Sequence, residues 1–406
     1  MRKLFYLFMV AMCATMFTAC SDDDDKDPLD DDGEGKEGVI TMTTEETYIH
    51  LYVETFNEGE IITIDWGDGD PEEFKSFKVY KDWDEDGEDE IHYVLSTDDD
   101  IEHEYSNKNP HIVTIKGNIK GLDCYYNNLT SLNVSGCTAL IWLDCNITNL
   151  TSLDVSKNTA LTYLICSSNN LTSLDVSKNT KLTELICSSN NLTSLDVSKN
   201  TKLTELICSS NNLTSLDVSK NTALTRLDCN ITNLTSLDVS KNTELKYLNC
   251  SSNNLTSLDV SKNTKLTWLD CGSNNLTSLD VSKNTELIGL ECHENNLTSL
   301  DVSKNTALTR LDCHENNLTS LDVSKNTELK YLNCSSNNLT SLDVSKNTKL
   351  TELYCHENNL TSAALNQIFR DLPQGQPSKS IIYINGNPGS NTCDKSIAKN
   401  KGWRVM

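Results

Sequence analysis

Cysteines are the most regularly spaced reactive residues of this chain. Twelve of the sixteen recur every 21 residues, at positions 124, 145, 166, 187, 208, 229, 250, 271, 292, 313, 334 and 355. Thiolates bind a metal ion when they converge in a closed tetrahedral shell, and a single file at a constant step does not converge. Disulfides between neighbouring repeats are compatible with the spacing but are not required by it. We therefore interpret the twelve cysteines as small buried hydrophobic residues.

Histidine–glutamate pairs occupy equivalent positions in three of the repeats. They are His293-Glu294, His314-Glu315 and His356-Glu357. Imidazoles one repeat apart can bind a metal ion. Because Ser-Ser fills the same position in other repeats, we interpret the pairs as polar surface turns.

Carboxylates also alternate in a short acidic segment, where Asp82, Asp84 and Asp86 precede Gly87. Loops that wrap Ca²⁺ use carboxylates at alternate positions followed by a glycine. Position twelve of such a loop is Tyr93 here, so the glutamate that closes a calcium loop is missing. The segment is either a calcium site with the three aspartates as ligands or an acidic hairpin tip without an ion. We expect no other cofactor.

Residues 1–19 have the pattern of a signal peptide. Arg2 and Lys3 precede an apolar core, residues 4–17, that is too short for a comfortable membrane span. Small residues then lead to Cys20. This sequence resembles the lipobox of bacterial lipoproteins, and the resemblance implies that Cys20 is the first mature residue and carries a lipid anchor in the membrane. The alternative is an ordinary signal peptide with a chance cysteine.

Residues 20–38 form an acidic linker. Ser21 is followed by four aspartates, and acidic residues and glycines continue the run to Gly38. Such a segment buries too little apolar area to fold, and it behaves as an extended tether. An acidic run after the lipidated cysteine also resembles the export signal of lipoproteins in some Gram-negative bacteria. That resemblance implies an extracytoplasmic outer-membrane lipoprotein exposed on the cell surface.

Residues 39–118 have the composition of a small β domain. Strand-like segments at 48–53, 61–66 and 112–115 are separated by turn residues. Two motifs, WGDG at residues 66–69 and HEY at 103–105, resemble those of the polycystic-kidney-disease (PKD) type of Ig-like sandwich. The resemblance implies an Ig-like β-sandwich, from which the acidic segment 75–100 departs as an insertion.

The 21-residue repeat reads L-x-x-L-x-C-x-x-N, as in Leu161, Leu164, Cys166 and Asn169. This pattern and period are typical of leucine-rich repeats. The chain resembles the internalin-like leucine-rich-repeat proteins of bacteria, which implies a solenoid over residues 119–361. Because Leu164 and Cys166 lie two apart on a strand, both point inward. Stacked coils then form a parallel β ladder of about twelve strands, and we expect Asn169 and its equivalents to bond the backbone of neighbouring turns.

The predicted fold class is mainly β, with a small α/β cap. On the return side of each coil, Leu171, Leu174 and Val176 repeat a strand-like spacing, so we expect a second ribbon of extended or 3₁₀ structure there. Residues 362–406 should cap the open end of the solenoid. They show helical spacing with Ser362 as N-cap, a strand at 381–384, a short helix at 394–401 and a last strand at 403–405.

Variation among the repeats concentrates at the two positions that flank the inward strand leucine. Side-chain alternation places both on one face of the sheet, which we expect to be the concave face of the solenoid. Trp, Tyr and Arg are enriched in binding hot spots, and the isoleucines should form an exposed apolar strip beside Tyr163. The alternative is relaxed constraint on an exposed sheet. The candidate ligand-binding residues are Trp142, Tyr163, Ile165, Ile186, Ile207, Arg226, Tyr247, Trp268, Arg310, Tyr331 and Tyr354.

Charge and motifs narrow the classes of function. A net charge of -25 argues against nucleic-acid binding. We find no Ser-His-Asp or Cys-His arrangement in a plausible pocket, so we do not expect an enzyme. We expect a monomeric cell-surface adhesion protein that binds a protein or a glycan, of host or bacterial origin, through the concave face. The alternatives are a passive surface coat or spacer, or a calcium-dependent or enzymatic role of the N-terminal domain.

Overall fold

The computed structural model describes residues 37–81, 90–96, 100–376 and 379–406. Cys20, Asp82, Asp84 and Asp86 lie outside these residues, so the lipid anchor and the calcium site stay predictions. The chain divides into two compact units, of which the first ends at Leu161 and the second is Thr162–Met406. Within the part of the chain that the structure describes, no helix has the length and apolar composition needed to cross a membrane.

The first unit is built entirely from strands in its described residues. They are β1 (Gly38–Thr44), β2 (Tyr48–Thr55), β3 (Ile61–Asp65), β4 (Glu72–Lys75), β5 (Phe77–Lys81), β6 (Glu90–Val94), β7 (Ile101–Glu104), β8 (His111–Gly117), β9 (Ile119–Asp123), β10 (Leu129–Asn133) and β11 (Trp142–Asp144). Five of them form an antiparallel sheet in the order β10-β1-β8-β3-β4. A second sheet is built on β2, which pairs antiparallel with β6, β7 and β9, and β5 extends it by pairing with β6.

The two motifs of this β domain lie against each other. The rings of Trp66 and His103 stack with centroids 4.8 Å apart, and the Tyr105 hydroxyl donates a 3.0 Å hydrogen bond to the Trp66 carbonyl. Nε2 of His103 lies 3.1 Å from the Asp68 carboxylate. These contacts tie the turn at 66–69 to the strand β7. The PKD-like identity of the domain stays a prediction.

The boundary predicted after residue 118 falls inside the first unit, because the first coil of the solenoid is interlocked with the β domain. Strand β9 pairs antiparallel with β2, where Leu122 faces Val53, and parallel with β11, where Leu122 faces Leu143. Strand β10 pairs with β1 of the other sheet. Strand β2 therefore covers the edge of the first parallel strand, which would otherwise present unpaired backbone groups.

The second unit is a parallel ladder with short helices near its end. Its strands are β12 (Tyr163–Ile165), β13 (Glu184–Ile186), β14 (Glu205–Ile207), β15 (Arg226–Asp228), β16 (Tyr247–Asn249), β17 (Trp268–Asp270), β18 (Gly289–Glu291), β19 (Arg310–Asp312), β20 (Tyr331–Asn333), β21 (Glu352–Tyr354), β22 (Ile381–Tyr383) and β23 (Arg404–Val405), and its helices are α1 (Ser362–Asp371) and α2 (Ser396–Asn400). Each strand pairs in parallel with the next, and equivalent residues face each other, as Leu164 faces Leu185.

The core of each coil consists of the repeated apolar positions. Leu161, Leu164, Cys166, Leu171 and Val176 are all 0% exposed, which confirms their predicted inward direction. Fully burying a leucine or valine side chain stabilises the folded state by roughly 1.5–3 kcal/mol, and the same positions repeat in every coil. The ladder cysteines are buried free thiols, so they act as small hydrophobic residues, and burial raises their pKa.

An asparagine ladder, in which each residue follows a ladder cysteine by three positions, joins neighbouring coils. Nδ2 of Asn190 donates to the carbonyls of Cys166, at 2.9 Å, and Cys187, at 3.1 Å. Its Oδ1 accepts a 3.0 Å hydrogen bond from the Leu171 amide. One side chain thus satisfies three buried backbone groups in two coils, as predicted for Asn169 and its equivalents.

A second asparagine ladder lies on the return side and was not predicted. Nδ2 of Asn200 donates to the carbonyls of Val176, at 3.0 Å, and Asn179, at 2.8 Å. Asn200 and its equivalent Asn221 are 0% exposed. Both ladders therefore supply hydrogen bonds to buried backbone groups that the short coils cannot pair within themselves.

The return side was predicted to form a second ribbon of extended or 3₁₀ structure. Within residues 162–361 the return segments contain no strand. They contain tight turns in which the Asn179 amide bonds the Val176 carbonyl and the Leu182 amide bonds the Asn179 carbonyl, and this spacing of three residues is that of 3₁₀ structure. Adjacent returns share a backbone bond such as that from the Asn191 amide to the Leu171 carbonyl, at 2.8 Å. The return side is therefore a stack of 3₁₀-type turns joined by backbone bonds, without a second set of strands.

The C-terminal cap begins with a helix and then adds two strands to the parallel ladder. The N-cap of α1 is Thr361 rather than the predicted Ser362, since Oγ1 of Thr361 accepts the Ala364 amide at 3.3 Å. The helix buries Ile368 and Phe369 completely. Strand β22 then pairs in parallel with β21, and β23 pairs with β22. The parallel sheet thus continues beyond the last 21-residue repeat.

Candidate binding face on the parallel sheet

The candidate binding surface, here called the ladder face, carries the first and third residues of each strand from β12 to β22. The middle residue of each strand, such as Leu206, is 0% exposed and points to the core. The first residue of a strand, such as Arg226 or Tyr247, is half-buried. Because the strands are in register, equivalent side chains stack in rows along the sheet. This is the face that the variable positions predict.

The predicted exposed apolar strip on this face was wrong. Ile165, Ile186 and Ile207 are only 9%, 7% and 4% exposed, and Tyr163 packs against them. Parallel strands in register place each isoleucine directly beside the next, so neighbours cover most of each side chain. The row is a small apolar cluster that stabilises this part of the sheet rather than an open patch.

Two glutamates stack in the row beside this cluster. Glu184 and Glu205 are first residues of adjacent strands. Burial, together with the nearby charge of Glu205, raises the pKa of Glu184 to about 7. Burial also raises the pKa of Glu205, although Arg226 opposes this, with its Nε 3.3 Å from Oε1 of Glu205. This part of the ladder face therefore changes charge near neutral pH.

The central rows combine a cation, aromatic rings and a glycine. The Arg226 guanidinium lies 4.3 Å from the centre of the Tyr247 ring, which is a cation–π contact. Trp268 is the first residue of the next strand, and its ring lies over Gly289, where a Cβ would come within 2.3 Å of the indole. Because Gly289 has no side chain, it leaves room for the Trp268 indole, which is the largest ring of the ladder face.

The C-terminal rows form what we call the aromatic cluster, which consists of Arg310, Tyr331, Tyr354 and Tyr383. Arg310 lies 3.8 Å from the centre of the Tyr331 ring, and its Nε donates a 2.7 Å hydrogen bond to Glu291. The Tyr331 and Tyr354 rings are 5.4 Å apart, and Tyr354 stacks on Tyr383 at 4.8 Å with an angle of 9° between the planes. Four consecutive strands thus present one continuous group of planar side chains.

Tyr383 was missed in the sequence because the cap interrupts the repeat before it. A signal was present, since IIYINGN at residues 381–387 matches the x-L-x-C-x-x-N spacing of a coil. Asn387 takes the place of the repeat asparagine, with Nδ2 2.9 Å from the Cys355 carbonyl and Oδ1 accepting the Leu360 amide at 3.0 Å. The cap therefore contains a further coil, with Tyr383 at a ladder-face position.

Trp142, which belongs to the first unit, is held inside that unit. Nε1 of Trp142 donates a 2.7 Å hydrogen bond to Oε2 of the buried Glu54. Its ring covers Gly121, where a Cβ would overlap the indole, and lies 5.9 Å from the ring of Tyr52. The indole thus serves the junction between β2, β9 and β11.

Comparison with known proteins agrees with this architecture. No protein-family model matches the chain, and no curated protein matches it. Among solved structures, the functional domain of InlJ from Listeria monocytogenes, which includes a cysteine ladder, is 36% identical, with a TM-score of 0.50 over 66% of this chain and 74% of that chain. An internalin (InlF) from Listeria monocytogenes is 22% identical, with a TM-score of 0.64 over 70% of this chain and 86% of that one. A leucine-rich-repeat protein of Leptospira interrogans is 21% identical, with a TM-score of 0.53 over 70% and 94%.

The likeness to InlJ extends to the regularly spaced cysteines. Both chains carry a ladder of cysteines, and the identity and coverage exceed what a shared fold alone requires. The chain belongs to the internalin-like leucine-rich-repeat proteins.

Proposed function

We propose that this protein is a cell-surface binding protein whose ladder face recognises a protein ligand. The observation that carries the proposal is the aromatic cluster. Tyrosine and arginine are, with tryptophan, the side chains enriched in binding hot spots. Here they are held in place before binding by ring stacking and by the Arg310–Glu291 hydrogen bond, so little side-chain entropy remains to be lost.

The contacts of the cluster favour a protein over a glycan. A sugar ring stacks on an open aromatic face, but one face of each of these rings is already occupied. Arg310 covers Tyr331, and Tyr354 and Tyr383 cover each other. The cluster offers ring edges, hydroxyl groups and the half-buried carboxylates of Glu291 and Glu352 beside it. A protein segment with basic and apolar side chains complements this surface.

The proposal includes display at the surface of the outer membrane. The lipobox-like sequence before Cys20 and the acidic run after it support a lipid anchor joined to the rest of the chain by an acidic tether. Such a tether would hold the ladder face away from the bilayer, where it meets host or bacterial proteins. Cys20→Ser should release the protein from the membrane fraction, and surface display predicts that protease added to intact cells digests the unaltered protein.

A binding screen tests the ligand class. The chain would be screened against arrays of extracellular-matrix and surface proteins and, in parallel, against a glycan array. The double variant Tyr354→Ala, Tyr383→Ala should lose protein binding at least about tenfold. Tyr80→Ala is the matched control, since Tyr80 is 61% exposed on β5 of the first unit. Protein binding that persists in the double variant would disprove the role of the cluster. Binding to glycans alone would show that the ligand is a glycan and not a protein. Absence of binding by every form of the chain would favour the passive surface coat.

A further inference from the structure

A cluster of nitrogen and oxygen donors lies at the edge of the ladder face, in the turns that follow β18 and β19. It consists of His293, Glu294 and His314. The imidazole rings of His293 and His314 stack one coil apart, with centroids at 4.8 Å and planes 15° apart. Backbone hydrogen bonds fix the two turns to each other, among them a 2.9 Å bond from the Glu294 amide to the His314 carbonyl.

The donor atoms of this cluster converge without bonding each other. Nδ1 of His293 is 3.8 Å, and Nε2 of His314 is 4.0 Å, from Oε1 of Glu294. These distances are too long for hydrogen bonds. Ligands of one tetrahedral Zn²⁺ ion, each bound at about 2.0–2.2 Å, lie roughly 3.3 Å apart. Small side-chain rotations therefore bring the three atoms onto a common ion.

The surrounding side chains orient two of the three donors. Nδ1 of His314 lies 2.6 Å from Oδ1 of Asp312. A proton on Nδ1 bonds this carboxylate and leaves the lone pair of Nε2 directed at the cluster, an arrangement that metal-binding histidines share. Ser273 donates a 3.0 Å hydrogen bond to Oε2 of Glu294, which leaves Oε1 for the ion.

The third donor is a polar atom that lacks a hydrogen bond. Nδ1 of His293 is shielded from solvent and makes no hydrogen bond with the described residues. A buried polar atom in that state costs about 1–3 kcal/mol, and coordination of a metal ion would recover this cost.

A glycine makes room for the His293 ring. At the position of Gly272, the other coils of the second unit carry serine, asparagine or histidine. A Cβ on Gly272 would lie 2.4 Å from Nε2 of His293. The coil beneath the cluster therefore has no side chain at the place that the His293 imidazole occupies.

We propose that His293, Glu294 and His314 bind a divalent transition-metal ion of the Zn²⁺ type, with a fourth coordination position open to solvent. Two imidazoles and one carboxylate suit Zn²⁺ and its neighbours, whereas Ca²⁺ and Mg²⁺ prefer oxygen ligands. Nε2 of His293 also faces Glu291, at 3.9 Å. The ion belongs on the Nδ1 side because His314 adds a second imidazole there.

Calorimetric titration of Zn²⁺ into the full chain, with Cys20→Ala to remove the N-terminal thiol, tests the site. We expect one ion per chain, and a loss of affinity of more than about tenfold in His314→Ala and in Glu294→Gln. Gly272→Ser, which installs the residue of other coils, should weaken binding through His293 while the fold stays intact by circular dichroism. His356→Ala is the matched control, because His356 has the same His-Glu sequence but faces serine in the adjacent coil.

Two further measurements separate this site from other metal ligands. Co²⁺ bound by these residues should lack the thiolate charge-transfer absorption that a cysteine site gives. Glu291→Gln should leave Zn²⁺ affinity unchanged. Absence of Zn²⁺ binding, a thiolate spectrum, equal affinity in His314→Ala, or loss in Glu291→Gln with retention in Glu294→Gln would each overturn the proposal.

Discussion

The indole nitrogen of Trp142 lies 2.7 Å from Oε2 of Glu54, and this bond connects β11, in the second coil of the solenoid, to β2 of the N-terminal domain. Glu54 is 2% exposed. Its Oε1 accepts from Nζ of Lys120 at 2.9 Å and lies 3.0 Å from Nδ1 of His92. Burial opposes the charge of Glu54, but the hydrogen bonds from His92, Lys120 and Trp142 outweigh it and lower the pKa of this carboxyl.

Removing this carboxylate should loosen the junction between the domain and the first coil. In Glu54→Ala, Lys120 and His92 lose a buried partner, and we expect the free energy of unfolding of the first unit to fall by about 3 kcal/mol. Hydrogen exchange of the β2 and β9 amides measures the change. The control Glu46→Ala removes a more exposed ion pair with Lys108 and should cost under about 1 kcal/mol. An equal effect in both variants would contradict the role of Glu54.

The asparagine ladder offers a matched pair of neighbouring residues. Asn253 bonds the carbonyls of Cys229 and Cys250 and accepts the Leu234 amide, whereas the side chain of Asn254 is exposed. We expect Asn253→Ala to lower the free energy of unfolding by about 2–3 kcal/mol, because it leaves buried backbone groups without partners. Asn254→Ala should change it by under about 0.5 kcal/mol. Urea denaturation gives both values, and equal values would refute this account.

The cysteines should differ in reactivity according to burial. Burial raises the pKa of the ladder thiols, and these side chains are closed to solvent, whereas Cys393 is partly exposed. Among the described cysteines, iodoacetamide under native conditions should therefore modify Cys393 first, and ladder positions only as the solenoid unfolds. Peptide mapping by mass spectrometry against time follows the order of labelling. Modification of Cys250 as fast as Cys393 would show that the ladder opens in the native state.

Stability should fall as the pH rises toward neutrality because of Glu184. Its pKa is raised from 4.5 to about 7 in the folded state, so the folded chain binds a proton more tightly than the unfolded chain. The stabilisation is complete below pH 4.5 and is lost as the pH rises to about 7. At 1.36 kcal/mol per pKa unit the full effect is at most about 3 kcal/mol.

Glu184→Gln should flatten this part of the pH profile of the melting temperature. Glu244→Gln is the control, since Glu244 is half exposed and pairs with Lys265. Burial also raises the pKa of Asp228 to about 6, so a smaller slope should remain in Glu184→Gln. A slope between pH 4.5 and 7 as steep as that of the unaltered protein would assign the proton to another group.

One turn of the second unit stores backbone strain. Ile231 has a φ of 49° and is 56% exposed, whereas the equivalent residue of the preceding coil is Ser210. A β-branched side chain is disfavoured in the left-handed region, which asparagine tolerates. We expect Ile231→Asn to raise the free energy of unfolding by about 1 kcal/mol, as measured by urea denaturation. Ser210→Asn should raise it by less, and destabilisation by Ile231→Asn would show that the isoleucine makes compensating contacts.

The periodicity of the sequence predicted on which side of the sheet a side chain lies better than it predicted how deeply that side chain is buried. The spacing of Leu164 and Cys166 fixes which side of a strand they occupy, and both are buried as expected. The same alternation correctly placed Ile186 on the ladder face. It carries no information on how closely neighbouring strands cover a side chain. That coverage depends on in-register stacking, which only the structure shows.

Uniformity of the repeats concealed other features. Asn200 and its copies do not vary between the repeat coils of the second unit, so comparison of these repeats could not separate this buried ladder from the exposed polar residues beside it. Tyr383 follows the helix α1, which breaks the 21-residue period, so its place beside Tyr354 depends on how the cap folds back onto the sheet.

Most neighbouring coils of the second unit are joined by the same bonds, such as Asn211 to the Cys187 carbonyl and Asn274 to the Cys250 carbonyl, both at 3.0 Å. Loss or duplication of one repeat in the gene would therefore rejoin two surfaces that already fit each other. The number of coils is thus a heritable variable that can change without a folding defect. Each such change also alters which ladder-face side chains become neighbours, so unequal recombination can generate new binding surfaces in a single event.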